Sequence, residues 1–185
     1  MRTGPGRIVA AMVAVLALAA ASTVALAVAG GAFRSKSSAP NDACTAPALA
    51  GTVVDVRLAN MGGSRMMGGS TMGGTMRVVS NRHDVAQGTI SFRVANVGSL
   101  VHELVVLPLA SGDRVGARSV GIDGKVSEGV SLGEASKTCG AGAGDGIDPG
   151  ALGWVTLNLP RGDYELVCNL PGHYASGMYT ELRVT

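Results

Sequence analysis

Tyr164-Glu165-Leu166-Val167-Cys168-Asn169-Leu170-Pro171-Gly172-His173-Tyr174-Ala175-Ser176-Gly177-Met178 sets a thiol, an imidazole and a thioether in a row, with four residues between each pair. Cys168 closes a strand-like run. Residues 170–177 read as a loop broken by Pro171, Gly172 and Gly177, and Met178 opens a second strand-like run. One thiolate, two imidazoles and a long axial thioether are the ligands of a blue-copper electron-transfer site. The stretch supplies three of them, and the chain has only two other histidines, His83 and His102. His83 lies in the polar turn Ser80-Asn81-Arg82-His83-Asp84, where solvent exposure is expected and an auxiliary metal role is the alternative. The second imidazole therefore falls to His102.

The strands around these donors decide whether they can meet. Thr52, Val54, Val56 and Leu58 alternate with Val53, Asp55, Arg57 and Ala59, the period of a half-buried strand. Ile90, Phe92 and Val94 line one face of 88–96. Residues 101–107 are apolar on both faces except for His102 and Glu103, which suits a central strand covered on both sides. Further strands are read at 76–80, 154–159, 164–168 and 178–184, with Pro160-Arg161-Gly162-Asp163 as a connecting turn and 84–88 as another. His102 is in phase with Leu104 and Val106, Cys168 with Tyr164 and Leu166, and Met178 with Leu182 and Val184. All three donors then point the same way as the apolar side chains. About seven or eight short strands indicate an all-β sandwich. The segment 110–150, Gly-rich and polar, is expected to be irregular.

Together these features resemble the cupredoxins, most closely the rusticyanin/sulfocyanin-like subgroup. Asn96-Val97-Gly98-Ser99-Leu100-Val101-His102-Glu103-Leu104 is similar to that family's first-ligand strand, and Cys168-x4-His173-x4-Met178 to its C-terminal ligand loop. The resemblance runs from about Gly51 to Thr185 and implies an eight-stranded Greek-key sandwich with one copper ion. By position it makes His102, Cys168 and His173 equatorial ligands and Met178 the axial one. Tyr164 resembles the tyrosine corner of Greek-key sandwiches. One residue departs from the pattern: many members carry Asn or Ser after the first ligand histidine, as a brace for the ligand loop, and this chain has Glu103.

A shell of two imidazoles, a thiolate and a thioether leaves no open position for substrate, so an electron carrier is expected rather than an enzyme. Three histidines in all cannot build a trinuclear copper cluster or a second catalytic copper. A binuclear centre would need a second cysteine where the chain has Gly172. In the family the electron leaves through the C-terminal ligand histidine, here His173, and Tyr174, Pro171 and Leu170 are the expected docking rim for redox partner proteins. A monomeric domain is expected. With 15 Lys and Arg against 13 Asp and Glu and aromatics at 3%, nothing suggests nucleic acid.

The N-terminus carries its own signal. Residues 8–33 are uncharged and almost wholly apolar, flanked by Arg2 and Arg7 before and Arg34 and Lys36 after. Their length suits a membrane anchor. Their alanine content and the small-residue sites Ala25-Leu26-Ala27 and Ala27-Val28-Ala29 suit a cleaved signal peptide. Either places the domain outside the cytoplasmic membrane, behind a Ser/Pro/Ala linker at 34–50. In that compartment Cys44 and Cys139 are expected to pair; the alternative is two exposed thiols. Between the first two strands, Met61, Met66, Met67, Met72 and Met76 stand among glycines and fit no helix or strand period. Thioethers select Cu(I), so this loop is read either as a secondary Cu(I) site or as an adaptable docking surface.

Overall fold

The computed structural model describes residues 44–60 and 76–185. Among them are ten strands and no helix. The strands are β1 (Thr52–Asn60), β2 (Met76–Ser80), β3 (Asp84–Val85), β4 (Gly88–Asn96), β5 (Leu104–Leu109), β6 (Gly133–Ala135), β7 (Gly140–Ala141), β8 (Leu152–Leu159), β9 (Gly162–Val167) and β10 (Tyr179–Val184). They form two five-stranded sheets, ordered β2-β1-β4-β8-β7 and β3-β10-β9-β5-β6. Parallel β1–β4 pairing inside a mainly antiparallel arrangement, with chain crossings between sheets, makes this a Greek-key-like sandwich. The expected N-terminal helix lies outside the described residues.

The period-two alternation builds the core directly. Val54, Val56 and Leu58 of β1 and Ile90, Phe92 and Val94 of β4 face Leu104 and Val106 of β5, Leu166 of β9 and Leu182 and Val184 of β10. Cys168 and Met178 belong to the same buried cluster, so the phase argument for these donors holds. Two local readings differ from the structure. Residues 84–85 pair in parallel with the end of β10 instead of only turning, and β5 starts at Leu104, leaving His102 in an isolated bridge to Ile147.

The segment 110–150 turns out to be the cover that makes β5 a doubly buried strand. Val105 and Leu107, on the face of β5 away from the main core, pack with Val126, Val167 and Tyr174. Its later half pairs as β6 with β5 and as β7 with β8. The segment is irregular in local structure yet fixed at both ends and in the middle.

Residues 44–50, read as the end of the linker, are attached to the domain. Ser91, fully buried on β4, donates its hydroxyl to the Ala50 carbonyl at 2.6 Å and lies 2.7 Å from Thr156 Oγ1. The structure joins Cys44 to Cys139, with Cα atoms 5.2 Å apart and a sequence separation of 95. Closing a loop of that length removes much unfolded-chain entropy. Replacing both cysteines by serine should therefore cost about 2–5 kcal/mol, read as a lower urea midpoint; an unchanged midpoint would show that the bridge contributes nothing to folding.

Candidate metal centre

Two separate devices bring the donors together at one end of the sandwich. His102 is clamped through its backbone: its N–H donates to the Ile147 carbonyl at 3.2 Å and its carbonyl accepts the Ile147 N–H at 2.7 Å. Cys168 lies one residue past β9, where the β9–β10 pairing continues as a Cys168 N–H to Met178 carbonyl bond of 3.0 Å. Between Cys168 and Met178 the loop closes on itself. The His173 N–H reaches the Leu170 carbonyl at 3.0 Å, and the Met178 N–H reaches the His173 carbonyl at 3.2 Å. Gly172, at φ 80°, supplies the left-handed turn that lets His173 double back over Cys168.

The two imidazole Nδ1 atoms stand 3.2 Å apart, and Cys168 Sγ lies 3.2 Å from His173 Nδ1 and 3.9 Å from His102 Nδ1. Nitrogen and sulfur ligands bind one small ion at about 2.0–2.3 Å and so cannot lie more than about 4.6 Å apart; these three satisfy that limit. Among the described residues this is the one group of three or more His, Cys, Asp or Glu side chains close enough to share an ion. His102, Cys168 and Met178 are fully buried, while His173 is partly exposed. A soft sulfur, two imidazoles and a buried thioether beside them are a donor set that suits copper and offers no hard oxygen ligand.

The surroundings prepare the donors. Asn60 Oδ1 lies 3.1 Å from His102 Nε2. Because that oxygen only accepts, it places the imidazole proton on Nε2 and leaves the Nδ1 lone pair free for a metal. Asn60 is itself held by the Ser99 N–H at 2.8 Å and by its own amide donating to Ser99 Oγ at 2.9 Å. Gly98 is required here, since a Cβ would collide with Asn60 Oδ1 and come within 3.0 Å of His102 Nε2. Burial lowers His102 to about 4, helped by the neighbouring His173, and burial also lowers His173. Burial raises the Cys168 thiol to about 11, although the backbone N–H groups of Glu103 and Leu170 oppose it. The Glu103 N–H stands 3.4 Å from the sulfur.

Glu103 is buried, and burial, with Glu134 next in weight, raises its carboxyl to about 7. The backbone N–H of Asn169 opposes that rise, which sets the carboxyl beside the residue that follows Cys168. Sequence reading had no signal for several other supports. Asn169 accepts the Val126 N–H at 2.8 Å and donates to the Val126 carbonyl at 2.9 Å, tying the ligand loop to the covering segment. The Gly172 N–H donates to the Gly124 carbonyl at 2.9 Å. Tyr174, expected on an exposed rim, is only 2% exposed and turned away from solvent, because its ring fills the outer core beneath 110–150. His83 is exposed, its Nδ1 near the Glu181 carbonyl, and it is not part of the group that converges. Met76 packs against the main core, and Met61, Met66, Met67 and Met72 lie outside the described residues.

The family model for the sulfocyanin (SoxE) domain matches residues 58–185. Among solved structures, rusticyanin from Thiobacillus ferrooxidans is similar at 21% identity, over 74% of this chain and 79% of that one, with a TM-score of 0.43. Dithionite-reduced auracyanin from Roseiflexus castenholzii is similar at 16% identity, over 74% of this chain and 98% of that one, with a TM-score of 0.45. No curated protein matches the chain.

The protonation states give a sign for metal uptake. With both imidazoles neutral and the thiol protonated near neutral pH, binding an ion through all three should release one proton, from Cys168. Affinity for Cu(II) should then rise about tenfold per pH unit from about pH 7 to about pH 10. Competition titrations across that range check it, and a flat profile would show that the thiol does not take part.

Proposed function

The chain belongs to the sulfocyanin (SoxE) family of the cupredoxins, and on that premise we propose that it is an extracytoplasmic one-electron carrier working through a single type 1 copper ion. His102, Cys168, His173 and Met178 are its ligands in this reading. Cupredoxins are typically blue-copper electron carriers found outside the cytoplasm. The observation that carries the reading is the convergence of two Nδ1 atoms and one sulfur, all within 4.8 Å, at a closed and buried end of the sandwich.

When bound, copper supplies a one-electron couple; the chain's residues do the rest. Asn60 fixes the His102 tautomer, and the backbone N–H groups on Cys168 draw charge from its sulfur. Burial of His102, Cys168 and Met178 excludes water, and four protein donors leave no place for substrate. His173 is the donor with an exposed edge; in its loop Pro171 is exposed and Leu170 partly buried, and Leu100 and Val101, just before His102, are exposed and apolar. A redox partner docks on that edge through a small, transient contact. The rim no longer includes Tyr174. The apolar 8–33 segment, as anchor or export signal, delivers the domain to the far side of the membrane, where it works as a monomer.

A second reading, capture of Cu(I) by Met61, Met66, Met67, Met72 and Met76, is favoured by one observation. The β1–β2 pairing runs to Asn60 opposite Met76, and Asn60 touches His102, so the methionine-rich segment leaves and rejoins the fold at the donor end.

Two experiments separate these readings. The purified protein loaded with Cu(II) should show an intense thiolate-to-copper absorption, and Cys168→Ser should abolish it; a colourless wild-type protein ends the carrier reading. Replacing 61–75 by an Asn-Gly turn should leave that absorption and the redox cycle intact. If the same deletion lowers the number of Cu(I) ions bound per chain, the capture reading gains its support.

A further inference from the structure

Behind the ligand loop, on the side away from the donors, lies a polar assembly that the copper reading leaves without a role. Tyr174, the residue after His173, inserts its ring among Val105, Leu107, Val126 and Val167, against Tyr179 at 5.0 Å between ring centroids. Its hydroxyl donates to Glu165 Oε1 at 2.9 Å and accepts the Arg118 N–H at 3.1 Å. Glu165 is fully buried and also accepts the Gly116 N–H at 2.7 Å and Arg118 Nε–H at 2.5 Å. The same guanidinium donates through Nη2 to the Pro108 carbonyl at 2.6 Å. One carboxylate thus joins the ligand loop, β9 and the covering segment.

A buried ion pair is a poor source of net stability, because desolvation offsets much of the attraction, and apolar side chains could fill the same space. A fully satisfied polar network does something that apolar packing does not: it admits a single arrangement of its members. Among the described residues no buried side-chain polar atom lacks a partner, so this network is complete. Its placement gives it leverage. The phenol is one peptide from His173, and lifting His173 away from Cys168 would draw the hydroxyl off Glu165 and leave a buried carboxylate short of a donor.

We propose that Tyr174, Glu165 and Arg118 are positioning residues for His173, holding the ligand loop in its closed arrangement before any metal arrives. This rests on the copper reading for its consequence, but its structural content does not need the ion.

The test uses the full chain as wild type, Tyr174→Phe, Glu165→Gln and, as a matched control, Tyr164→Phe. Tyr164 is another buried tyrosine, whose hydroxyl donates to the Pro160 carbonyl at 2.7 Å near the opposite end of β9. Tyr174→Phe should hold copper about tenfold less tightly and move the charge-transfer band. In the metal-free protein, the same variant should speed amide exchange across 173–177. Glu165→Gln should move all three readouts the same way. Tyr164→Phe should lower the melting temperature and leave all three at wild-type values. If Tyr174→Phe and Glu165→Gln change only the melting temperature, the network is structural and the proposal is overturned. A wild-type protein without the charge-transfer band sinks the copper reading instead, and the metal-free exchange comparison then decides the positioning claim alone.

Discussion

Two imidazole Nδ1 atoms 3.2 Å apart, with a thiol sulfur 3.2 Å from one of them, are within hydrogen-bond reach of one another but come from distant parts of the chain. Because Asn60 Oδ1 accepts a hydrogen bond from the Nε2–H of His102, the Nδ1 of His102 presents a bare lone pair toward the other donors. Burial disfavours charging the imidazoles or the thiol, so no ion pair forms among them. A few neutral hydrogen bonds, worth about 0.5–1.5 kcal/mol each, are too little to bring the segments that carry them together. The surrounding backbone has to do so, and much of the domain can be understood as that backbone.

The restraints differ for each donor. His102 is caught in a reciprocal pair of backbone bonds with Ile147, whose carbonyl is also held by Asn96 Nδ2 at 2.7 Å. Cys168 inherits its place from β9 and the last rung of the β9–β10 ladder. His173 sits in a loop and has the least intrinsic order, and that loop has the most outside support: Val126 against Asn169, Gly124 against Gly172, and Arg118 with Glu165 against Tyr174. Each of the three draws on 110–150, the last together with Glu165 of β9. That long segment, costly to order because its glycines lose the most backbone freedom, is explained by the loop it braces.

Much of this was legible in the chain, for a clear reason. Alternation in β1, β4 and β9 follows from the two-residue period of a strand, so the inward phase of Cys168 and Met178 could be read without coordinates. The spacing of Cys168, His173 and Met178 lies within one loop, where sequence distance limits spatial distance. Periodicity tells which face a side chain takes but not what covers that face. Glu165 does point away from the main core, as its phase demands, yet it meets Arg118 and Tyr174 rather than water. Tyr174 was misjudged on the same ground: a tyrosine between glycines in a loop gives no local sign of the outer core awaiting it. Asn60 was hidden differently, since its bond to His102 spans 42 residues and asparagine at a strand end has many ordinary uses.

A last step follows from the asymmetry of exposure. An electron carrier needs its donor geometry to change little between redox states, and it needs one route to the surface. Those demands conflict, because the route must be a donor that reaches solvent, where restraint is weakest. Here the exposed donor, His173, stands 3.2 Å from Cys168 Sγ, and the residues on either side of it, Gly172 and Tyr174, are held by a segment paired to the neighbouring strands. Its own backbone makes two bonds inside the loop, to Leu170 and Met178. Flexibility at the exit point is thus suppressed by distributing the restraint over residues that never touch the donors. In the proposed carrier reading this restraint has a purpose, since a site that must admit and release substrate would gain from movement at its open edge.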